Sequence, residues 1–229
     1  MGMPQGCFHL LVLVMSCSFV TGCVRASATV EERIAQYGAQ MQERLAPLMA
    51  ACSLSYPLEK MTLIGLKDEK ILELHLAGED GVYHLIKRYP ILAASGKSGP
   101  KLREGDRQVP EGFYAIELLN PNSKHHLSLR VNYPNKEDRQ HAKEEGRGNL
   151  GGDIMIHGKA ASIGCIAIGD PAIEEVFFLA HTVGLKNIQV VISPIDFRAR
   201  SMGDVQTEKP KWLKPRYERI QAALEHFKK

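Results

Sequence analysis

Tryptophan occurs once in this chain, at position 212, and the first 22 residues contain no Lys, Arg, Asp or Glu. Net charge is also scarce: +3 over 229 residues, with no basic block interleaved with aromatics, which argues against a nucleic-acid partner. Internal repeats and low-complexity runs are absent, as are an HExxH motif and paired metal-ligand spacings. The longest apolar stretch, Leu10 to Met15 continued by small residues and Phe19 to Val20, is shorter than the roughly 20 residues a bilayer-spanning helix needs. What remains is a composition of 44% hydrophobic and 24% charged residues, ordinary for a globular protein with a substantial core.

The uncharged start reads as a secretory signal over residues 1–22, although it lacks the usual positive n-region. Val20-Thr21-Gly22-Cys23 resembles a bacterial lipobox, in which Cys23 would be lipidated and anchor the mature protein to a membrane. Ala26-Ser27-Ala28 is the rival, a cleavage site that would release a soluble protein. Either places the mature chain outside the cytoplasm, in the periplasm if the lipobox operates. Of five cysteines, Cys7 and Cys17 would leave with the signal and Cys23 would carry lipid, so Cys52 and Cys165 remain in the folded body. An exported chain could join those two in a disulfide.

Thr29-x-x-Glu32 is a capping box opening a helical pattern within residues 23–58, which Pro47 should bend or end. Residues 59–195 change to strand periods. Met61–Leu66, Ile71–Leu76 and Val82–Ile91 read as successive hairpin strands, Phe113–Leu118 and Leu127–Val131 follow, and Ile188–Ile192 closes the set. His75 and His84 fall in these strands and read as surface or cross-strand residues. Asp170-Pro171 is an N-cap followed by proline, opening a helix that Gly184 stops. The basic tail, 196–229, ends in a helix from about Pro215 packed on the outside, with Trp212 as its docking anchor. Between strands, Asn132 to Gly152 is long, polar and glycine-rich, which suits either a lid including Tyr133 or a mobile surface insertion.

The chemistry concentrates at Ile156-His157-Gly158 and Ser162-Ile163-Gly164-Cys165. A thiol near its unperturbed pKa is a weak nucleophile at neutral pH, and a neighbouring imidazole can take its proton. Glycines beside each partner permit close backbone approach or positive φ. A lone cysteine is, by contrast, often only packing material.

Gly99-Pro100-Lys101, Gly105-Asp106, Val109-Pro110-x-Gly112-x-Tyr114, and then the histidine and cysteine segments, stand in the order of the L,D-transpeptidase (YkuD-type) catalytic domain. The chain resembles that family, and its spacing is most like the YafK-like branch. The resemblance implies a mainly β (α+β) fold, an L,D-transpeptidase-type β-sandwich with an N-terminal helix, an internal helix after the cysteine and a C-terminal helix. It implies acyl transfer on peptidoglycan stem peptides without a cofactor. Cys165 would be the nucleophile and His157 the general base, with the Gly158 carbonyl orienting the imidazole. Backbone N–H groups around Gly164 and Cys165 would form the oxyanion hole, with Ser162 in support. Tyr133 is the candidate substrate contact.

Two positions depart from the family signature. Ile163 replaces the usual histidine, and Ala167 stands where arginine is common. Those changes leave open transfer to an amine or hydrolysis by water, the latter giving an endopeptidase or amidase acting on murein cross-links or on a murein-linked lipoprotein. A non-catalytic murein-binding domain is a third expectation. A metal hydrolase, using Asp153 and His157 with His125, His126 or His141, is a fourth, opposed by the missing ligand spacing. Lys101, Arg103, Arg107, Arg130 and Lys159 could meet substrate carboxylates or be a solvated basic surface.

Overall fold

The structure is a computed structural model that describes residues 1–2, 27–208 and 210–227. The signal and the lipobox, with Cys7, Cys17 and Cys23, lie outside the described residues.

Helix α1 (Val30–Ala51) starts at the expected capping box: Thr29 Oγ1 accepts the Glu32 N–H at 3.1 Å, and the Glu32 carboxylate accepts the Thr29 N–H at 2.8 Å. Pro47 does not end it. The last turn persists around Pro47 because Leu45 and Met49 are buried in the core and hold it there.

Eight strands follow: β1 (Lys60–Leu66), β2 (Ile71–Ala77), β3 (Tyr83–Pro90), β4 (Gly112–Ser123), β5 (His126–Val131), β6 (Met155–His157), β7 (Ile166–Ala167) and β8 (Ile188–Ser193). They form one sheet in the order β3-β2-β1-β8-β4-β5-β6-β7. The last strand in sequence inserts between β1 and β4, parallel to β1 and antiparallel to β4. The sheet curls until its ends meet, because Ala93, just after β3, bridges Ala167 of β7.

Both faces of the central strands are covered, which is why Met61–Leu66 reads as a continuous apolar run rather than an alternation. Met61 and Leu63 of β1, with Val190 and Ile192 of β8, face a core shared with α1 and with α3 (Asp170–Val183). Ile64, Leu66 and Val191 face a second core filled by Leu213, Tyr217, Ile220 and Leu224 of α4 (Leu213–Glu225). The tail therefore completes a core instead of lying on the outside. Tyr217 donates to the fully buried Glu111, which also accepts Lys67 Nζ at 2.8 Å and the Gly99 N–H at 2.8 Å. Arg216 bonds the Glu111 carbonyl and Asp138, both at 3.0 Å. Trp212 anchors the start of α4, stacked on His141 at 4.5 Å with the Arg216 guanidinium over its ring.

Two further expectations need correction. The segment Asn132 to Gly152 is not one long loop, since it contains α2 (Lys136–Glu144), capped by Asn135 and Asp138. Asp170 is not the N-cap of α3. Gly169, at φ +83°, holds that position, and the Asp170 carboxylate instead takes the Lys159 N–H at 2.7 Å. Of the two alternatives for His75, the cross-strand one holds: it lies in β2 opposite Thr62, buried and bonded at 3.0 Å to Glu73, which Arg88 and Arg198 also reach.

Candidate active site

His157 ends β6 and Cys165 immediately precedes β7. The two strands pair in parallel, Ile156 with Ile166 and His157 with Ala167. Ile156 and Ile166 point into the core, so alternation turns Met155, His157, Cys165 and Ala167 to the other side. The same register sets Cys165 beside Met155, with His157 one pleat further along.

The imidazole is only 2% exposed, and its Nδ1 lies 2.6 Å from the Gly158 carbonyl. A carbonyl can only accept, so Nδ1 carries the proton and Nε2 is left with the lone pair that a base needs. Burial lowers the His157 pKa, the bond to Gly158 opposes that, and His125 adds to the lowering. Cys165 Sγ accepts the Met155 N–H at 3.4 Å and donates toward the Asp153 carbonyl at 3.6 Å. Burial pushes this thiol above its ordinary pKa, against the Met155 hydrogen bond. Both shifts favour the neutral thiol and neutral imidazole over an ion pair. Cys52 and Cys165 are both free thiols, so the disulfide alternative does not hold.

Gly158 is required by crowding. A Cβ there would lie 2.5 Å from Asp170 Oδ1 and 2.7 Å from the His125 carbonyl. Gly164 adopts φ +94°. The amides expected to face an oxyanion already have partners: Cys165 N–H bonds Ser162 Oγ at 2.9 Å, and Gly164 N–H bonds Ser95 Oγ at 2.6 Å. Ser162 also donates to the Cys165 carbonyl at 2.7 Å, so one side chain fixes both main-chain polar groups of Cys165. Substrate oxygen would have to displace a hydroxyl to reach either amide.

Ser95 was not singled out by the sequence. Its hydroxyl donates to the Arg107 carbonyl at 2.7 Å, tying the cysteine loop to the 95–111 segment. That segment is organised by Asp106, which accepts Lys101 Nζ at 2.6 Å and the N–H groups of Leu102, Arg103 and Gln108. Burial alone would raise the Asp106 pKa, but these bonds overcome it and hold it low.

Tyr133 is not placed as a substrate contact. It is 5% exposed, with its hydroxyl 3.3 Å from both the Lys101 and Leu150 carbonyls, where it packs two loops together. Of the five candidate cations, Lys101 is held by Asp106, Arg130 by Glu117 and Lys159 by the Lys124 carbonyl. The suggested metal ligands are dispersed. His126 pairs with Glu174 and His141 stacks on Trp212, leaving only His125 against His157. Ile163, two residues before Cys165, is 77% exposed.

Residues 64–192 match the YkuD family, the L,D-transpeptidase catalytic domain. The chain belongs to this family. YafK of Escherichia coli strain K12 is 35% identical over 169 residues, which are 70% of this chain and 63% of YafK, so the chain spans under two thirds of that relative's length. Among solved structures, the helical cell shape determining protein Pgp2 from Campylobacter jejuni shares 25% identity at a TM-score of 0.48, covering 61% of this chain and 50% of that one. Bd1075 of Bdellovibrio bacteriovorus shares 18% at a TM-score of 0.44, covering 75% and 58%.

Proposed function

We propose that this protein is a periplasmic cysteine acyltransferase that acts on peptidoglycan stem peptides. The observation that carries the proposal is the His157 tautomer. With Nδ1–H committed to the Gly158 carbonyl, Nε2 is the free base on the face that also carries Cys165. As the thiol attacks the stem-peptide carbonyl, its proton passes to Nε2 and a C–S bond forms. Collapse of the tetrahedral intermediate breaks the C–N bond, and the proton on Nε2 goes to the departing amine. An incoming amine then attacks the thioester, His157 removes its proton, and the regained thiolate takes that proton as it leaves. With Cys23 lipidated, the enzyme would be tethered to the membrane beside its substrate. Among the described residues no helix is long and apolar enough to cross a membrane.

The test is incubation of the mature protein with muropeptides, with and without an acceptor amine. Cross-linked or exchanged products that rise with acceptor concentration are expected. Hydrolysed stems alone, at every acceptor concentration, would replace transfer by an endopeptidase or amidase activity of the same Cys165–His157 pair. Product formation that persists in C165A would overturn Cys165 as the nucleophile, and absence of both products with the wild-type protein would leave only a binding role.

A further inference from the structure

His125 lies in the turn joining β4 to β5, where its N–H bonds Ser123 Oγ at 3.1 Å. The next residue, His126, has φ +75° and turns its ring the other way, to Tyr37 and Glu174. That reversal sends the His125 ring onto His157, with centroids 4.4 Å apart and planes 30° from parallel. The approach is held from both sides. Gly158 N–H bonds the Leu127 carbonyl at 3.2 Å, and the His125 carbonyl sits against Gly158, where no Cβ would fit.

Resting on the acyl-transfer role proposed above, we propose that His125 is a positioning residue for the base, covering one face of the His157 imidazole so that Nε2 stays aimed along the strand face that carries Cys165. The hydrogen bond from Nδ1 to Gly158 alone leaves the imidazole free to rock about that bond. A ring stacked on its face removes the freedom. It also keeps water from that face, which makes the imidazolium formed during attack less stable and returns its proton readily to the departing amine. The charged groups nearest this turn are both tied to main chain. Lys159 reaches the Lys124 carbonyl with its Nζ, and Asp170 is held by the Lys159 N–H beside Gly158. His157 itself faces His125 from β6. The lowered His157 pKa, to which His125 contributes, accords with this arrangement.

The experiment compares wild type with H125A and H125F by two readouts: steady-state kinetics, and NMR titration of the His157 ring nitrogens. The NMR readout needs no turnover, so it remains informative if the proposed reaction fails. H125A is expected to lower kcat about ten- to a hundredfold with KM nearly constant, the scale set by small misplacements of a reacting group. The acid limb of its rate profile and the His157 titration should both move up toward the free imidazole value. H125F, which restores a flat face, should recover most of the lost rate and keep the titration low. Where alanine unfolds the turn, H125L fills the volume without a flat face and serves in its place. An unchanged titration and kcat in H125A, or H125F no better than H125A, would overturn the assignment.

Discussion

Gly158→Ala is the substitution for which the structure gives the sharpest consequence. The new Cβ would sit 2.5 Å from Asp170 Oδ1, 2.7 Å from the His125 carbonyl and 3.1 Å from His126 Cβ. Ordinary contact begins near 3.4 Å, so the first two approaches fall short by about 0.9 and 0.7 Å. Neither neighbour yields easily. Asp170 opens α3 and is pinned by the Lys159 N–H, and the His125 carbonyl is backbone in a tight turn. Overpacking of this kind costs about 1–3 kcal/mol. The strain also bears on the carbonyl that fixes the His157 tautomer, and a displacement of about 1 Å at a catalytic group can cost on the order of a hundredfold in rate. G158A should therefore lower the urea midpoint and reduce kcat far more than a remote substitution of equal ΔΔG. The double variant G158A/D170G, which removes one of the two obstructions, should recover part of the rate. A G158A protein with normal stability and normal kcat would refute the crowding argument.

Other consequences follow from the same contacts. Y133F should leave kcat and KM unchanged and lower stability by about 1 kcal/mol, the net value of one hydrogen bond, measured by urea unfolding; a raised KM would return Tyr133 to the substrate site. Glu73 is 1% exposed, and although burial would raise its pKa, hydrogen bonds from His75, Arg198 and Arg88 bring it from 4.5 to about 2. A depressed carboxyl pKa stabilises the fold above the unfolded value and loses that contribution as pH falls, so about 3 kcal/mol should disappear between pH 4.5 and 2. E73Q should lack that pH-dependent loss and already be weaker at neutral pH; parallel stability curves for both proteins would contradict it. Because Cys165 is shifted up and His157 down, alkylation of Cys165 by iodoacetamide should be slow near neutrality and keep accelerating with pH past the ordinary thiol pKa instead of levelling there, while the acid limb of kcat lies below the ordinary imidazole pKa. Fast alkylation at pH 6 would instead indicate a preformed ion pair.

Much of this fold is written locally. The Thr29–Glu32 capping box, the apolar run of β1 and the apolar face of α3 each form as their periods require. Helix α2 escaped because only Asp138 and Ala142 are buried along it, leaving almost no apolar stripe. Its signal was the Asn135-x-x-Asp138 cap. The insertion of β8 between β1 and β4, and the closure through Ala93 and Ala167, depend on partners far apart in sequence, which no local pattern records. The site divides the same way. Cys165, His157 and Gly158 carry their chemistry in their residue types. Ser95 and His125 are ordinary residues in turns, and matter only because the sheet brings them to Gly164 and His157. Tyr133 misled for a related reason: an aromatic in a polar stretch looks available to ligand, yet its hydroxyl is occupied by two backbone carbonyls.

The most direct measurement is intact-mass spectrometry of the mature protein after brief incubation with a stem peptide. A mass increase equal to the acyl portion of the stem, mapped to Cys165 by peptide digestion and absent from C165A, is the expected result. No adduct under conditions where substrate is consumed, or an adduct that persists in C165A, would contradict covalent catalysis by Cys165.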